Sequence, residues 1–460
     1  MSQLQDITSP MTPLEKRATL SLASIYALRM LGLFMILPVL SLFAEQMEGA
    51  TPLLIGLSIS VYGLTQAILQ IPFGLLSDRF GRKKIIIIGL ILFSSGSVVA
   101  AVSTNIYGIL IGRAIQGSGA IAAAIMALVA DLTQEVHRTK AMATIGASIG
   151  VSFGVAITLG PVLASYVGIS GIFWLTAGLS ILAIFVVLFV VPNPKKSIVH
   201  RDAELVPGQF INVLKNPDLL RLDYGIFVLH LCLTASFVVL PLLIRDAGLL
   251  PEQHWQIYLP VLITSMAVII PFVIIAEKKR QMKVVFIGAI ICLFFANIGL
   301  FYFSYDLMGL IGFLWLFFCG FNLLEATLPS LISKTAPGDL KGTAMGAYSS
   351  SQFMGAFVGG LMGGWLYGEF DGNIVFLFSA VAAGSWVIVA LFMKTPQYLA
   401  NMLISLDQVS EEKADEFVNE LLKISGIMEV KLHFEEDVAY LKVDNKLLQK
   451  PELQQFLNQW

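Results

Sequence analysis

Residues 53–76, LLIGLSISVYGLTQAILQIPFGLL, carry no charge, and residues 77–84, SDRFGRKK, follow at once with five charged side chains around one glycine. At 1.5 Å per residue the first stretch makes a helix of about 36 Å, enough to cross the roughly 30 Å hydrocarbon core of a bilayer. The second stretch is short and charged, and apolar sequence resumes at Ile85. The chain therefore leaves a membrane, turns around Gly81 and goes back in, a reversal that glycine's backbone freedom permits.

The rest of the chain repeats that pattern. Apolar runs long enough to span lie near 17–44, 53–76, 84–103, 105–130, 140–168 and 171–192, then near 222–245, 255–276, 283–304, 308–333, 342–368 and 374–393. The chain is 57% apolar and 13% charged, against about 25% charged in soluble domains, so lipid is the solvent for most of it. The formal net charge of -2 predicts no nucleic-acid partner. Cys232, Cys292 and Cys319 lie inside apolar runs without paired spacing, so neither a disulfide frame nor a metal site is expected. The first residues lack a short apolar region followed by a small-residue cleavage site, and the first apolar run is expected to be a span rather than a removed leader.

The organisation expected is a six-span half over 17–192, an inter-half loop over 193–221, a second six-span half over 222–393 and a soluble domain over 397–460. Lys and Arg crowd the even-numbered connections and flanks, among them Lys16, Arg17, Arg79, Arg82, Lys83, Lys84, Arg138, Lys140, Lys278, Lys279 and Arg280, whereas the odd-numbered connections hold only Arg245. By the positive-inside rule both termini are cytoplasmic. Ala141-Met142 and Ala344-Met345 enter the fifth and eleventh spans at an offset of 203 residues. Two six-span repeats with a site between them are a transporter architecture.

The block Gly74-Leu75-Leu76-Ser77-Asp78-Arg79-Phe80-Gly81-Arg82-Lys83-Lys84 resembles a signature of the major facilitator superfamily, in the turn after the second span where that family carries it. The resemblance covers residues 17–393. It implies a fold of twelve transmembrane helices in two halves, and it implies a cytoplasmic gate in which Asp78 faces the helix beginning near Gly342, whose positive dipole end favours a carboxylate, while Arg82 pairs with Asp131. The bland alternative is that Arg79, Arg82, Lys83 and Lys84 only fix topology. Arg113-Ala114-Ile115-Gln116-Gly117-Ser118-Gly119 in the fourth span is similar to a second signature of the family, an intramembrane arginine associated with proton coupling. In the fifth span Gly146, Gly150 and Gly154 recur every four residues before Gly160-Pro161. That spacing predicts a smooth face for close helix approach and resembles the family's antiporter motif, although Ala164-Ser165 stand where a further glycine pair is usual.

Four ionisable residues lie in span interiors: Arg29, Arg113, His230 and Glu325, one each in spans one, four, seven and ten. Such residues in a bilayer normally face a polar interior or pathway, and in the resembled family those spans line the central cavity. His230 and Glu325 each sit about eight residues from the cytoplasmic end of their runs, roughly 12 Å deep. Either can exchange a proton as the cavity alternates; the bland reading is a satisfied pair or a salt bridge to Arg29. Two arginines without an interior carboxylate in the first half make an anionic or neutral substrate as plausible as a cationic one. Tyr62, Gln66, Gln70 and Gln116 can line the same path, and the first three share one helical face, equally a packing seam.

From Tyr398 hydropathy collapses. NMLISL reads as a strand, SEEKADEFVNELLKIS as a helix stopped by Gly426, IMEVKLHF and DVAYLKVD as a hairpin, and PELQQFLNQW as a helix opened by proline. The βαββα order resembles the ferredoxin-like sandwich of small metal-carrying domains, but without their paired-cysteine loop, so no metal is expected. Twelve such spans followed by such a domain resemble bacterial inner-membrane transporters. The resemblance implies export of a small molecule by proton antiport, with protons and the lipid bilayer as the other partners, no cofactor and a monomeric transport unit. Proton symport, facilitated uptake and a transporter-derived sensor signalling through the tail are the alternatives. The tail itself reads equally as a regulatory or self-association domain and as a dispensable appendage. No phosphate loop, nucleophile triad or metal cluster points to an enzyme.

Overall fold

The computed structural model describes residues 10–194, 210–337, 340–395, 400–406, 413–434, 438–444 and 447–457. Most of the inter-half loop expected over 193–221, including Lys195, Lys196 and Arg201, lies outside the described residues, as do 407–412 of the tail.

Among the described residues, ten stretches are long and apolar enough to cross a membrane. One of them, Lys140–Phe189, makes two passes, because helical geometry breaks at Gly168 (φ 66°, ψ 179°), a left-handed conformation that suits glycine. The glycine-rich helix Lys341–Glu369, 29 residues long, is span eleven in chain order and brings the count to twelve. Spans one and four are each built from two helices. Span one changes direction between Pro13–Met35 and Leu37–Ala44, where Pro38 stands at the start of the second piece. Span four stops at Ser118 and restarts at Ala122, so Ile106–Ser118 and Ala122–Leu132 meet at Gly119.

The other ends follow local rules. Thr12 caps span one, reciprocated by the Glu15 side chain. Thr51 caps span two, Pro52–Phe80, and Asp306 caps span ten, Leu307–Thr335. Gly81, at φ 98°, ends span two and starts span three, Arg82–Val102, so one residue makes the whole turn. Span seven, Pro217–Asp246, begins with Asn216 as its cap and Pro217 in the first turn, five residues before the apolar run.

The two halves repeat one arrangement. In the first, the hydroxyls of Ser148 and Ser152 on span five donate to the carbonyls of Ala23 and Ala27 on span one at 3.2 Å. In the second, Gly355, Gly359 and Gly363 on span eleven lie against Phe227, Leu231 and Ala235 on span seven. Both pairs run parallel, as equivalent elements of a repeat must. The opposite edge of span eleven packs antiparallel on span two, with Gly360 and Gly364 against Gly56 and Ser60. Span eleven is therefore a blade clasped on both edges by backbone, which only small residues allow.

The spacing of Gly146, Gly150 and Gly154 predicts close approach on span five; the structure places it on span eleven. A Cβ built on any of those three glycines meets nothing within 4 Å, while one built on Gly160 would stand 2.8 Å from the Met35 carbonyl oxygen of span one. The physical reason is that span five turns its serine face to span one, leaving Gly146 and Gly150 exposed.

The tail forms a three-stranded antiparallel sheet, β1 (Ala400–Ser405), β2 (Ile427–His433) and β3 (Val438–Val443), in the order β1-β3-β2. Helices Ala414–Lys423 and Lys450–Leu457 bury Phe417, Leu421, Leu453 and Phe456 against Leu441 and Val443. Gly426, at φ 95°, links the first helix to β2. Arg280, which follows span eight (Trp255–Lys278), donates both terminal guanidinium nitrogens to Asp444 at 2.8 and 3.2 Å, tying the tail to the bundle.

Candidate functional site

Three groups of polar residues lie within the bundle. The first is in the first half. Arg29 is fully buried and donates from one terminal nitrogen to the Tyr62 hydroxyl, the Gln66 side-chain oxygen and the Gly119 carbonyl, at 2.7–2.9 Å. The last acceptor exists because span four breaks there: a helix interrupted at membrane depth must have its freed carbonyls satisfied by protein. The guanidinium also lies 5.4 Å from the ring centre of Phe93. Arg113, also buried, donates to the Ser58 and Ile59 carbonyls of span two and to the Gln116 side chain, whose amide in turn reaches Ser97. These arginines fasten spans one, two and four together. Gln70, one turn from Gln66, is buried with its side-chain oxygen unpartnered.

The second group is in the other half. Glu325 on span ten lies 3.9 Å from His230 on span seven, carboxylate Oε2 to imidazole Nε2. The same imidazole nitrogen is 2.8 Å from the side-chain amide nitrogen of Gln352 on span eleven. An amide nitrogen only donates, so this bond is made to a neutral His230 whose Nε2 accepts. Protonating that nitrogen ends its acceptance from the Gln352 N–H and creates a donor facing Glu325. The His230 ring packs 5.9 Å from Phe321, which stacks on Phe153 of span five, so the pair abuts the interface between halves. The Glu325 side chain is 39% exposed, yet its Oε2 has no hydrogen-bond partner.

The structure brings His230 and Glu325 together and keeps both arginines apart from them. A salt bridge from Arg29 to this pair, one reading of the sequence, is replaced by Arg29's bonds to Tyr62, Gln66 and Gly119. The depth expected from apolar run lengths is also revised. Span seven starts at Pro217, thirteen residues before His230, and span ten ends at Thr335, ten residues after Glu325. At 1.5 Å per residue that is about 20 Å and 15 Å from the respective helix ends.

The third group surrounds the turn between spans two and three. Arg82 is buried, ion-pairs with Asp78 four residues before it, lies 3.4 Å from Asp131 at the end of span four and donates to Ser77 at 3.0 Å. Asp78 and Arg82 line a 110 Å³ cavity with Gly342, Met345 and Ser349 from the first turns of span eleven. Arg79 is exposed. At the far end of the bundle the halves are joined by Arg245 to Glu45 at 2.6 Å and by the Gly56–Gly364 contact.

Sequence reasoning passed over Asp223, Tyr348 and Gln352. Asp223 looked like the edge of an apolar run. The helix-start signal Asn216-Pro217 extends the span far enough to bury it. Tyr348 and Gln352 are uncharged, and only the register of span eleven against span seven shows where they lie.

Comparison with known proteins places these groups in context. A profile described as Major Facilitator Superfamily matches residues 22–360. The chain is 46% identical over 454 residues, 98% of its length and 99% of the relative's, to the "Inner membrane transport protein YajR" of Escherichia coli K12. It is 39% identical to a Buchnera aphidicola protein named "Uncharacterized transporter BU466", over 75% of this chain and 89% of that one. "Quinolone resistance protein NorA" of Staphylococcus aureus is 25% identical over 78% of this chain and 92% of its own length. Among solved structures, human organic anion transporter MFSD10 (TETRAN) superposes with a TM-score of 0.61 at 18% identity, over 82% of this chain and all of the other, a likeness of fold.

Proposed function

From the premise that this chain belongs to the major facilitator superfamily, a family of membrane transporters of small molecules, we propose that it exports a small molecule across a bacterial inner membrane by proton antiport. The observation that carries this reading is the pair formed by Glu325 and His230 beside the interface between halves. A carboxyl and an imidazole in contact at membrane depth can hold one proton between them, and a charge change there alters the cost of facing lipid-walled or aqueous surroundings. Alternating exposure of the two halves then moves the proton one way and the substrate the other. Arg29 and Arg113 bear on coupling through the helices they fasten, with Tyr62, Gln66, Gln70 and Gln116 along the same path.

In this reading the end of the bundle carrying both termini faces the cytoplasm, as the loop lysines and arginines favour. The cluster of Gly74, Asp78, Arg79, Gly81, Arg82 and Asp131 is the cytoplasmic gate, and Gly150, Gly154, Gly160 and Pro161 belong to a bending segment of span five. The transport unit is one chain, and the tail acts on it through Arg280 and Asp444. The NorA relative, named for quinolone resistance, makes quinolones the first compounds to screen.

The test is transport in inverted membrane vesicles energised to acidify their interior, with a proton-sensitive dye. A substrate should discharge the gradient in vesicles with the native chain and fail to do so with Glu325→Gln. Normal coupled transport by Glu325→Gln would remove the proton site, and failure of every screened compound to discharge the gradient counts against antiport.

A further inference from the structure

We propose that Asp223 and Tyr348 carry protons between Glu325 and the terminal face, through a relay that water completes along the seam of spans seven and eleven. The inference rests on the reading of Glu325 as the proton-coupling acid. It begins with an anomaly. Asp223 is only 5% exposed, on a span of the bundle, and neither carboxylate oxygen has a hydrogen-bond partner. Buried polar groups are nearly always satisfied, so an acid in this condition calls for an explanation. The Tyr348 hydroxyl, 3% exposed at the residue level, is likewise buried without a partner.

The register of the two spans lines these groups up. Phe227 and Leu231 sit on Gly355 and Gly359, so residues 223, 227 and 230 of span seven and residues 348, 352, 355 and 359 of span eleven share the facing surfaces, at helical spacings of three and four. Gln352 contacts His230 on this seam. Tyr348 is one turn nearer the terminal face than Gln352, and Asp223 is two turns nearer than His230, about 10 Å along the axis. The Tyr348 hydroxyl lies within electrostatic range of both Glu325 and Asp223. Those contacts, Phe227 on Gly355 and Leu231 on Gly359, place Asp223 level with residue 351 and Tyr348 level with residue 220, so the order from interface to terminal face is Glu325 beside His230, then Asp223, then Tyr348.

The proton count closes. Protonated Glu325 gives its carboxyl proton to a water; Asp223 takes a proton from that water and passes it on; Tyr348 accepts it on its hydroxyl oxygen as it releases its own to water at the terminal face. Only O–H bonds form and break, one proton leaves, and every group returns to its starting form. The free oxygens of Asp223, Tyr348 and Glu325 supply the two to four polar contacts that a buried water needs.

The test uses the purified full chain in lipid nanodiscs and needs no substrate. The infrared C=O stretch of protonated Glu325 is identified as the band lost in Glu325→Gln, and its rate of change is followed after a pH jump. Asp223→Asn and Tyr348→Phe should each slow that change by about a hundredfold, the low end for loss of a positioned proton-transfer group, at full amplitude, and Asp223→Glu should restore much of the rate. A merely structural role would lower amplitude or stability without slowing exchange. Exchange at the native rate in both variants overturns the relay and leaves antiport standing. A native protein in which no titrating band depends on Glu325 overturns the relay together with the proton site on which it rests.

Discussion

Replacing Gly359 with alanine should loosen the bundle far more than the same replacement at Gly150. A Cβ on Gly359 comes closest to the Leu231 carbonyl oxygen and lies 2.8 Å from Leu231 Cα and 2.9 Å from its carbonyl carbon, all backbone atoms that cannot rotate aside. Ordinary contact begins at 3.4 Å, so spans seven and eleven must separate by more than about 0.6 Å to clear the closer carbonyl oxygen, an overpacking cost of about 1–3 kcal/mol. A Cβ on Gly150 meets nothing within 4 Å. Both replacements gain the same helix propensity, up to about 1 kcal/mol, so the difference between them isolates the clash. That difference corresponds to about a 5- to 150-fold change in the ratio of folded to unfolded protein. Unfolding by titration with a denaturing detergent, read by tryptophan fluorescence on both purified variants, measures it. Equal stability of the two variants, or a larger loss at Gly150, would refute the assignment of close packing to span eleven.

Arg82→Ala should cost about 3 kcal/mol, because it leaves Asp131, whose side chain is fully buried, and Asp78 without their shared cation, while Arg79→Ala on the exposed side should stay within about 0.5 kcal/mol; thermal unfolding ranks them. Asp444→Asn should speed proteolytic release of the tail without unfolding the bundle, since the ion pair with Arg280 is partly exposed and worth about 1 kcal/mol; limited proteolysis followed by gel analysis checks this, and unchanged cleavage would show that other contacts hold the tail.

The helical architecture was legible because lipid imposes a length and a composition on every crossing, and the run lengths register both. The tail was legible because alternation and a stop glycine suffice for a hairpin and a helix. What the runs could not show were helix ends and mutual register. Span seven begins before its apolar run, since Asn216 and Pro217 cap it in polar sequence, and that moved Asp223 from a boundary to the interior. Arg29 looked like a partner for Glu325 because charges invite pairing. The break at Gly119 instead offers a carbonyl that a buried cation satisfies, and nothing in hydropathy reveals such a break. The glycines of spans five and eleven have similar spacing, and only the neighbouring backbone tells which face is occupied.

On the proposed relay, the position of Tyr348 and Gln352 on the glycine blade has a mechanical consequence. Span eleven touches span two across the interface between halves and span seven within its own half. Rocking of the halves changes the first seam and preserves the second. Tyr348 and Gln352 belong to the preserved seam, so a relay built there keeps its geometry through the cycle, and control has to sit at its inner end, where Glu325 and His230 abut Phe321 and the other half's Phe153. There the Gln352 amide holds His230 Nε2 in the accepting form. The nitrogen cannot accept from the Gln352 N–H and donate to Glu325 at once, so arrival of a proton on His230 exchanges one contact for the other while the glycine seam between spans seven and eleven stays closed. On the proposed antiport reading, that exchange joins a protonation event to a residue of the helix clasped between the two halves.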